Sequence, residues 1–287
     1  MNYTRRSFLG AGAAAALIPP RLFAAKKLAG LKIGVTDWNL QKAGKVEAIA
    51  LARSLGFQGV EVSLGRTPVG DKLPLDNPEI QEHYLREAKA QKFALAGTCL
   101  DILHVNFLKN DKLGQKWVAD GIPITSKLNA RVMLMPFFAK GALETRAERE
   151  YVADILKELA PQADRAGVLL GLEDTISAED NVRIMERSKS SVVRVYYDVG
   201  NAVKYGHDPV KEIRWLGKDR IAQFHLKDHN GYIGEGPIDF RPVMAAIADI
   251  DFAGFANLET ASPSSIEDDM RRNLKAVRGF IEQVQGA

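Results

Sequence analysis

Four short apolar runs of this chain each end in a side chain that can bind a metal ion or move a proton. Val168-Leu169-Leu170-Gly171-Leu172 ends in Glu173, and Val192-Val193-Arg194-Val195-Tyr196-Tyr197 ends in Asp198. Ile221-Ala222-Gln223-Phe224 ends in His225, and Phe255-Ala256-Asn257-Leu258 ends in Glu259. The spacings are 25, 27 and 34 residues. Three carboxylates held close together repel and raise one another's pKa unless a cation lies among them. A divalent metal removes that repulsion. Three carboxylates and one imidazole form an oxygen-rich set that suits Mn2+, and also Co2+, Fe2+, Mg2+ or Zn2+. One such Asp or Glu alone is usually a helix cap or a surface charge. Four at matched positions predict one metal site, with Glu173, Asp198, His225 and Glu259 as ligands.

Each spacing is about one strand plus one helix. Along the chain, eight apolar runs alternate with longer amphipathic segments: 31–36, 59–64, 93–99, 131–135, 168–173, 192–198, 221–226 and 255–259. Runs that are apolar nearly throughout fit parallel strands covered on both faces. Helical spacing marks Val46–Leu55. Asn77-Pro78 reads as an N-cap with proline at the first helical position, opening 79–91. Thr145-x-x-Glu148 is a capping box. Asp208-Pro209 opens another helix, and Ser264-x-x-Glu267 is expected to cap the last one, which runs to about Val284. Strand and helix repeated eight times predict a single α/β domain over residues 26–287, a closed (β/α)8 barrel. An open doubly wound sheet fits less well, because no Gly-x-Gly-x-x-Gly follows the first strand.

Barrels keep their active sites on the face formed by the C-terminal ends of the strands. Two long segments follow strands here, 100–130 and 227–239. Several further side chains are expected near that face. Trp38, after the first strand, is expected to stack on a substrate or to cover the barrel end. Glu61 ends the second strand and is expected to bind a hydroxyl or to pair with a base such as Arg66. His104 lies early in the first long segment. Lys227, two residues past His225, is expected to polarise a substrate oxygen or to be neutralised by Asp228. His229 lies in the second long segment and is a further binding candidate.

Several short motifs then appear in a characteristic order. They are Gly59-Val60-Glu61, Leu172-Glu173, Asp198-Val199-Gly200-Asn201, His225-Leu226-Lys227-Asp228, Gly234-Glu235-Gly236-x-Ile238-Asp239-Phe240 and Leu258-Glu259. Over roughly residues 31–285 the chain resembles the sugar phosphate isomerase/epimerase family, the xylose isomerase-like TIM barrels that include the ketose 3-epimerases. The resemblance implies a metal held by Glu173, Asp198, His225 and Glu259. It also implies that Glu173 and Glu259 face opposite sides of a substrate as acid and base. A metal on the carbonyl oxygen stabilises an enediolate as charge develops. One glutamate removes the proton beside the carbonyl and another returns one. Return on the opposite face gives epimerisation, and return to the neighbouring carbon gives isomerisation. Loss of a β-oxygen from the same enolate would make the chain a lyase or hydratase of keto-sugars or keto-glycosides. Glu179 matches a substrate-contacting glutamate of the ketose 3-epimerases. Asn201 stands where they usually carry a His, and Gly231 where they usually carry an Arg. The metal site and the two glutamates therefore carry over further than the substrate contacts.

Composition narrows the partners. The formal charge is +3 and the sequence pI about 8.8. Residues 1–25 hold three arginines and no acid, so the remainder is formally neutral. No basic excess is left to attract nucleic acid or an anionic membrane. Charge and the single strand-end histidine speak against a nuclease. Thr4-Arg5-Arg6-Ser7-Phe8-Leu9 and the uncharged stretch after it resemble a twin-arginine export signal over residues 1–25, which predicts a periplasmic protein. The lone Cys99 excludes an intrachain disulfide. The loops after the seventh and eighth strands carry little basic charge, which favours an unphosphorylated carbohydrate as substrate. A homo-oligomer with a partner over the barrel mouth is compatible with this chain. A non-catalytic, exported sugar-binding barrel is the competing reading. It would have no need of both Glu173 and Glu259.

Overall fold

The computed structural model describes residues 28–286 except residue 230; the expected export signal, residues 1–25, lies outside them. The strands are β1 (Leu31–Thr36), β2 (Gly59–Ser63), β3 (Ala94–Cys99), β4 (Val132–Pro136), β5 (Leu169–Glu173), β6 (Val193–Asp198), β7 (Ile221–Leu226) and β8 (Gly254–Leu258). All pair in parallel and in chain order. Pairing of β1 with β8 closes the barrel. Most strand residues are buried, as expected where helices cover the outside and side chains fill the inside.

The helices are α1 (Glu47–Leu55), α2 (Pro78–Gln91), α3 (Lys112–Lys127), α4 (Arg146–Ala166), α5 (Ala178–Ser188), α6 (Val199–Lys204), α7 (Pro209–Leu216), α8 (Phe240–Asp249) and α9 (Ile266–Gly286). Their starts follow local chemistry. Asn77 Oδ1 accepts from the Glu79 and Ile80 amides ahead of α2. Thr145 and Glu148 satisfy each other's backbone at the head of α4. Asp208 caps α7. The cap of α9 lies one residue later than the sequence predicts. Ser265 Oγ accepts from the Asp268 amide at 3.3 Å, while the Asp269 carboxylate collects the Ser264 and Ser265 amides. Among the described residues, no helix is long and apolar enough to cross a membrane.

Inside the barrel, beneath the strand ends, lies a polar layer rather than a purely apolar one. Glu61, Gln223 and Asn257 are all buried there. Asn257 Nδ2 donates to Tyr196 Oη at 2.9 Å, and to Glu61 Oε2 and Gln223 Oε1 at 3.2 Å each. Tyr196 Oη donates to Glu61 Oε2 at 2.8 Å. Register shifts at Val60/Glu61 and at Val195/Tyr196 sit just before these two partners. Such irregularities re-aim the side chains that follow them.

Candidate metal centre and active-site cavity

The last residues of β5 and β6, with His225 of β7 and Glu259 just past β8, point into one space at the mouth of the barrel. Strand register helps: Asp198 lies directly beside His225 across the β6–β7 pair. One ligand atom from each of Glu173, Asp198, His225 and Glu259 can be chosen so that all four lie within 4.8 Å of one another. His225 Nδ1 lies 2.8 Å from Glu173 Oε1, 3.5 Å from Glu259 Oε2 and 3.9 Å from Asp198 Oδ2. Its other nitrogen, Nε2, is 2.8 Å from Glu61 Oε2. With a cation among the carboxylates, that contact would keep the proton on Nε2 and turn the Nδ1 lone pair to the ion, the arrangement by which outer carboxylates orient metal-binding histidines. The donor set and its spacing fit a divalent cation.

The electrostatics are strained in the way the residue types predict. Burial raises the Glu173 carboxyl above the usual range, and Glu259 and Asp198 add to it; His225 offsets only part. Burial would raise Glu259 too, but His225 and Lys227 outweigh it and hold that carboxyl low. Burial disfavours a charged His225 ring, but Glu173, Glu259 and Glu61 outweigh it and raise its pKa well above the usual value. Lys227 Nζ lies 2.6 Å from both Asp198 Oδ2 and Glu259 Oε2. Burial works against its charge, but these two carboxylates hold it firmly protonated. Asp198 also works structurally: its Oδ1 accepts from the Asn201 amide and caps α6.

A cavity of about 380 Å3 opens over these groups. Every strand contributes to its wall. Trp38 comes from the loop after β1, Arg66 from the loop after β2, and Cys99, Asp101 and His104 from the end of β3 and the segment after it. Pro136 and Phe138 come from β4 and its loop, followed in order by Glu173, Asn201, Lys227 and Glu259. Larger cavities, of about 610 and 620 Å3, lie between α4 and α5 and at the opposite end of the barrel. The first is edged by arginines already paired with acids, including Arg149 with Asp180 and Arg183 with Asp180. The second is lined largely by strand starts and gathers no comparable ligand set.

The expected binding residues divide into two groups. Trp38, His104, Asn201 and Lys227 line the cavity together with Glu173 and Glu259. Trp38 Nε1 also donates to Glu259 Oε1 at 3.1 Å, so the indole orients a carboxylate as well as walling the cavity. Three residues lie elsewhere. Glu61 neither lines the cavity nor pairs with Arg66, because it is wholly buried beneath His225. Glu179 is exposed on the first turn of α5, outside the cavity wall. His229 turns its Nε2 onto the Gly200 carbonyl at 2.6 Å, so the backbone occupies that nitrogen. Sequence reasoning did not single out Arg66, Asp101 or Phe138 as wall residues. Each lies within a few residues of a strand's C-terminal end, and that position was the available signal.

Comparison with known proteins agrees with this architecture. Residues 49–280 match the family described as Xylose isomerase-like TIM barrel. A protein of Escherichia coli (strain K12) whose name proposes L-ribulose-5-phosphate 3-epimerase activity is 45% identical over 221 residues, covering 72% of this chain and 76% of that protein. The 2-epi-5-epi-valiolone 7-phosphate 2-epimerase of Actinoplanes sp. (strain ATCC 31044 / CBS 674.73 / SE50/110) is 26% identical over 215 residues, with the same two coverages. Among solved structures, the IOLI protein with a bound zinc atom superposes with a TM-score of 0.70 at 15% identity, covering 88% of this chain and 99% of that one. The chain belongs to the xylose isomerase-like TIM barrel family.

Proposed function

We propose that this protein is a divalent-metal-dependent sugar epimerase or isomerase that works by proton abstraction beside a carbonyl. The observation that carries this reading is the meeting of Glu173, Asp198, His225 and Glu259 at the floor of a cavity of small-ligand size. The names of the two curated relatives, one an epimerase and the other a proposed epimerase, each of a phosphorylated substrate, support it. Mn2+ is the preferred ion. When bound, the metal supplies a Lewis acid that stabilises negative charge on the substrate's oxygens.

The protein's own groups do the rest. Glu173 reaches the cavity from β5 and Glu259 from the end of β8, so a proton can leave to one carboxylate and return from the other. Trp38 and Lys227 fix Glu259 through its two oxygens. Glu61 fixes the His225 ring from below. Residues 1–25 are proposed to direct export by the twin-arginine route, which N-terminal sequencing of the protein from a periplasmic fraction would check.

Elemental analysis of protein purified without chelator is expected to find about one equivalent of Mn, Co, Fe, Mg or Zn, lost in Glu173→Gln. Metal-loaded protein is expected to exchange a carbon-bound proton of a keto-sugar with deuterated solvent. Glu259→Gln is expected to abolish that exchange while the circular dichroism spectrum is retained. Full exchange activity in Glu259→Gln would sink the two-glutamate mechanism.

A further inference from the structure

The cavity has two unlike sides. In the closed ring, the loop after β2 faces β6 across the mouth, and the loop after β3 faces β7. The β5–β8 side carries the carboxylates, and its one lysine is already held by Asp198 and Glu259. The β2–β3 side carries Arg66 and His104. Among the described residues, Arg66 makes no hydrogen bond or ion pair. The acid on its side, Asp101, accepts instead from Ser63 Oγ at 2.6 Å. His104 stacks on Phe138 with ring centroids 6.3 Å apart and planes 24° apart, which fixes its ring while leaving its nitrogens without a partner among the described residues.

On one wall, then, stand an exposed guanidinium and an imidazole, neither committed to a protein partner among the described residues. A guanidinium can serve a hydroxyl as well, but its charge is matched only by an anion. A guanidinium fork matches a carboxylate or phosphate in a bidentate, charge-assisted contact. A negative group on this side would also lie across the mouth from the carboxylates, and would orient the substrate with its carbonyl end over the ligand set.

We propose that the substrate carries a terminal anionic group, phosphate or carboxylate, and that Arg66 with His104 is its binding subsite. This rests on the keto-sugar reading above. It departs from the expectation of an unphosphorylated substrate. That expectation looked to the loops after β7 and β8, whereas the free cation comes from the loop after β2.

The test uses D-fructose, D-fructose 6-phosphate and D-fructuronate, which differ only at carbon 6. Each is titrated calorimetrically into metal-loaded wild type, Arg66→Gln and His104→Phe, and each is followed separately for deuterium exchange beside the carbonyl. Wild type is expected to bind one of the two anions at least tenfold more tightly than D-fructose, and the identity of that anion separates phosphate from carboxylate. In Arg66→Gln the ratio is expected to fall toward one. His104→Phe, which keeps the stack on Phe138, is expected to lose about threefold of it. If neither anion binds more tightly than D-fructose, or if the preference survives Arg66→Gln, the subsite is overturned. A binding preference without exchange of any sugar would leave the subsite standing and defeat the catalytic reading instead.

Discussion

Glu61 touches no open space in the cavity, yet it decides how His225 presents itself. Its Oε2 receives His225 Nε2, Tyr196 Oη and Asn257 Nδ2. Removing its charge while keeping its shape should let the imidazole change tautomer. Glu61→Gln is therefore expected to weaken metal affinity about 10–100-fold, the usual cost of losing a partner behind a ligand. A calorimetric titration showing unchanged affinity would refute this role. A second buried carboxyl, Asp174, shows how such groups affect stability. Burial raises its pKa to about 7, with Glu212 and Asp180 adding to the rise against hydrogen bonds from Asn181 and Ile176. Its Oδ2 and Asn181 Oδ1 are both buried without a hydrogen-bond partner. The unfolded chain ionises Asp174 near pH 4 and the folded chain only near 7. Its contribution is thus fully present below pH 4, falls as pH rises toward 7, and is level above that. Asp174→Asn, whose amide can donate to Asn181 Oδ1, should gain about 1–2 kcal/mol over wild type at pH 8, a range discounted for partial exposure. Urea melts of metal-loaded protein at pH 4.5 and 8 check this, and an identical difference at both pH values would exclude it.

At the scale of elements, local chemistry was legible where it was strong. β1 and β7 have the limits their apolar runs predict, and the other six strands differ by one residue at one end or, in β4 and β8, at both. The α4 capping box reads directly from Thr145 and Glu148. Thr145→Ala should cost about 1 kcal/mol, seen as a lower urea midpoint with an unchanged slope. An unchanged midpoint would show that neighbouring contacts already anchor that turn. Helices α3, α5 and α8 were inferred only from the repeat. The caps that open α5 and α8, Ser177 and Asp239, lack the proline or capping-box partner that marks α2, α4 and α7, and α3 carries Gly121 and Pro123, which blur its signal. The clustering of Glu173, Asp198, His225 and Glu259 was legible because each ends an apolar run. The second role of Glu61 was not. A strand-end residue can face the mouth or the interior, and a register shift beside Glu61 settles which. Sequence spacing does not encode that shift.

At the scale of the molecule, metal binding at the proposed site should be linked to folding, because the four candidate ligands meet only in the closed barrel. At 100 times Kd, a ligand that binds only the folded state adds about 2.7 kcal/mol. For a domain of this size that predicts a rise in melting temperature of about 5–10 °C, reversed by chelator. No shift with Mn2+, Co2+, Fe2+, Mg2+ or Zn2+ would remove the metal site from consideration. The ring of eight strands has one more consequence. All four ligands come from the second half of the chain, β5 to β8, whereas Trp38, Arg66, Asp101, His104 and Phe138 come from the first. On the proposed reading, reactivity rests mainly on the second half of the chain and much of the cavity wall on the first, and the two are joined by Glu61 under His225 and by Trp38 on Glu259. Exchange of the loops after β2 to β4 between related barrels is expected to transplant preference while leaving reactivity in place, provided that the recipient keeps Trp38 and Glu61. Such a division gives inheritance a way to vary what is recognised while leaving intact how it is transformed.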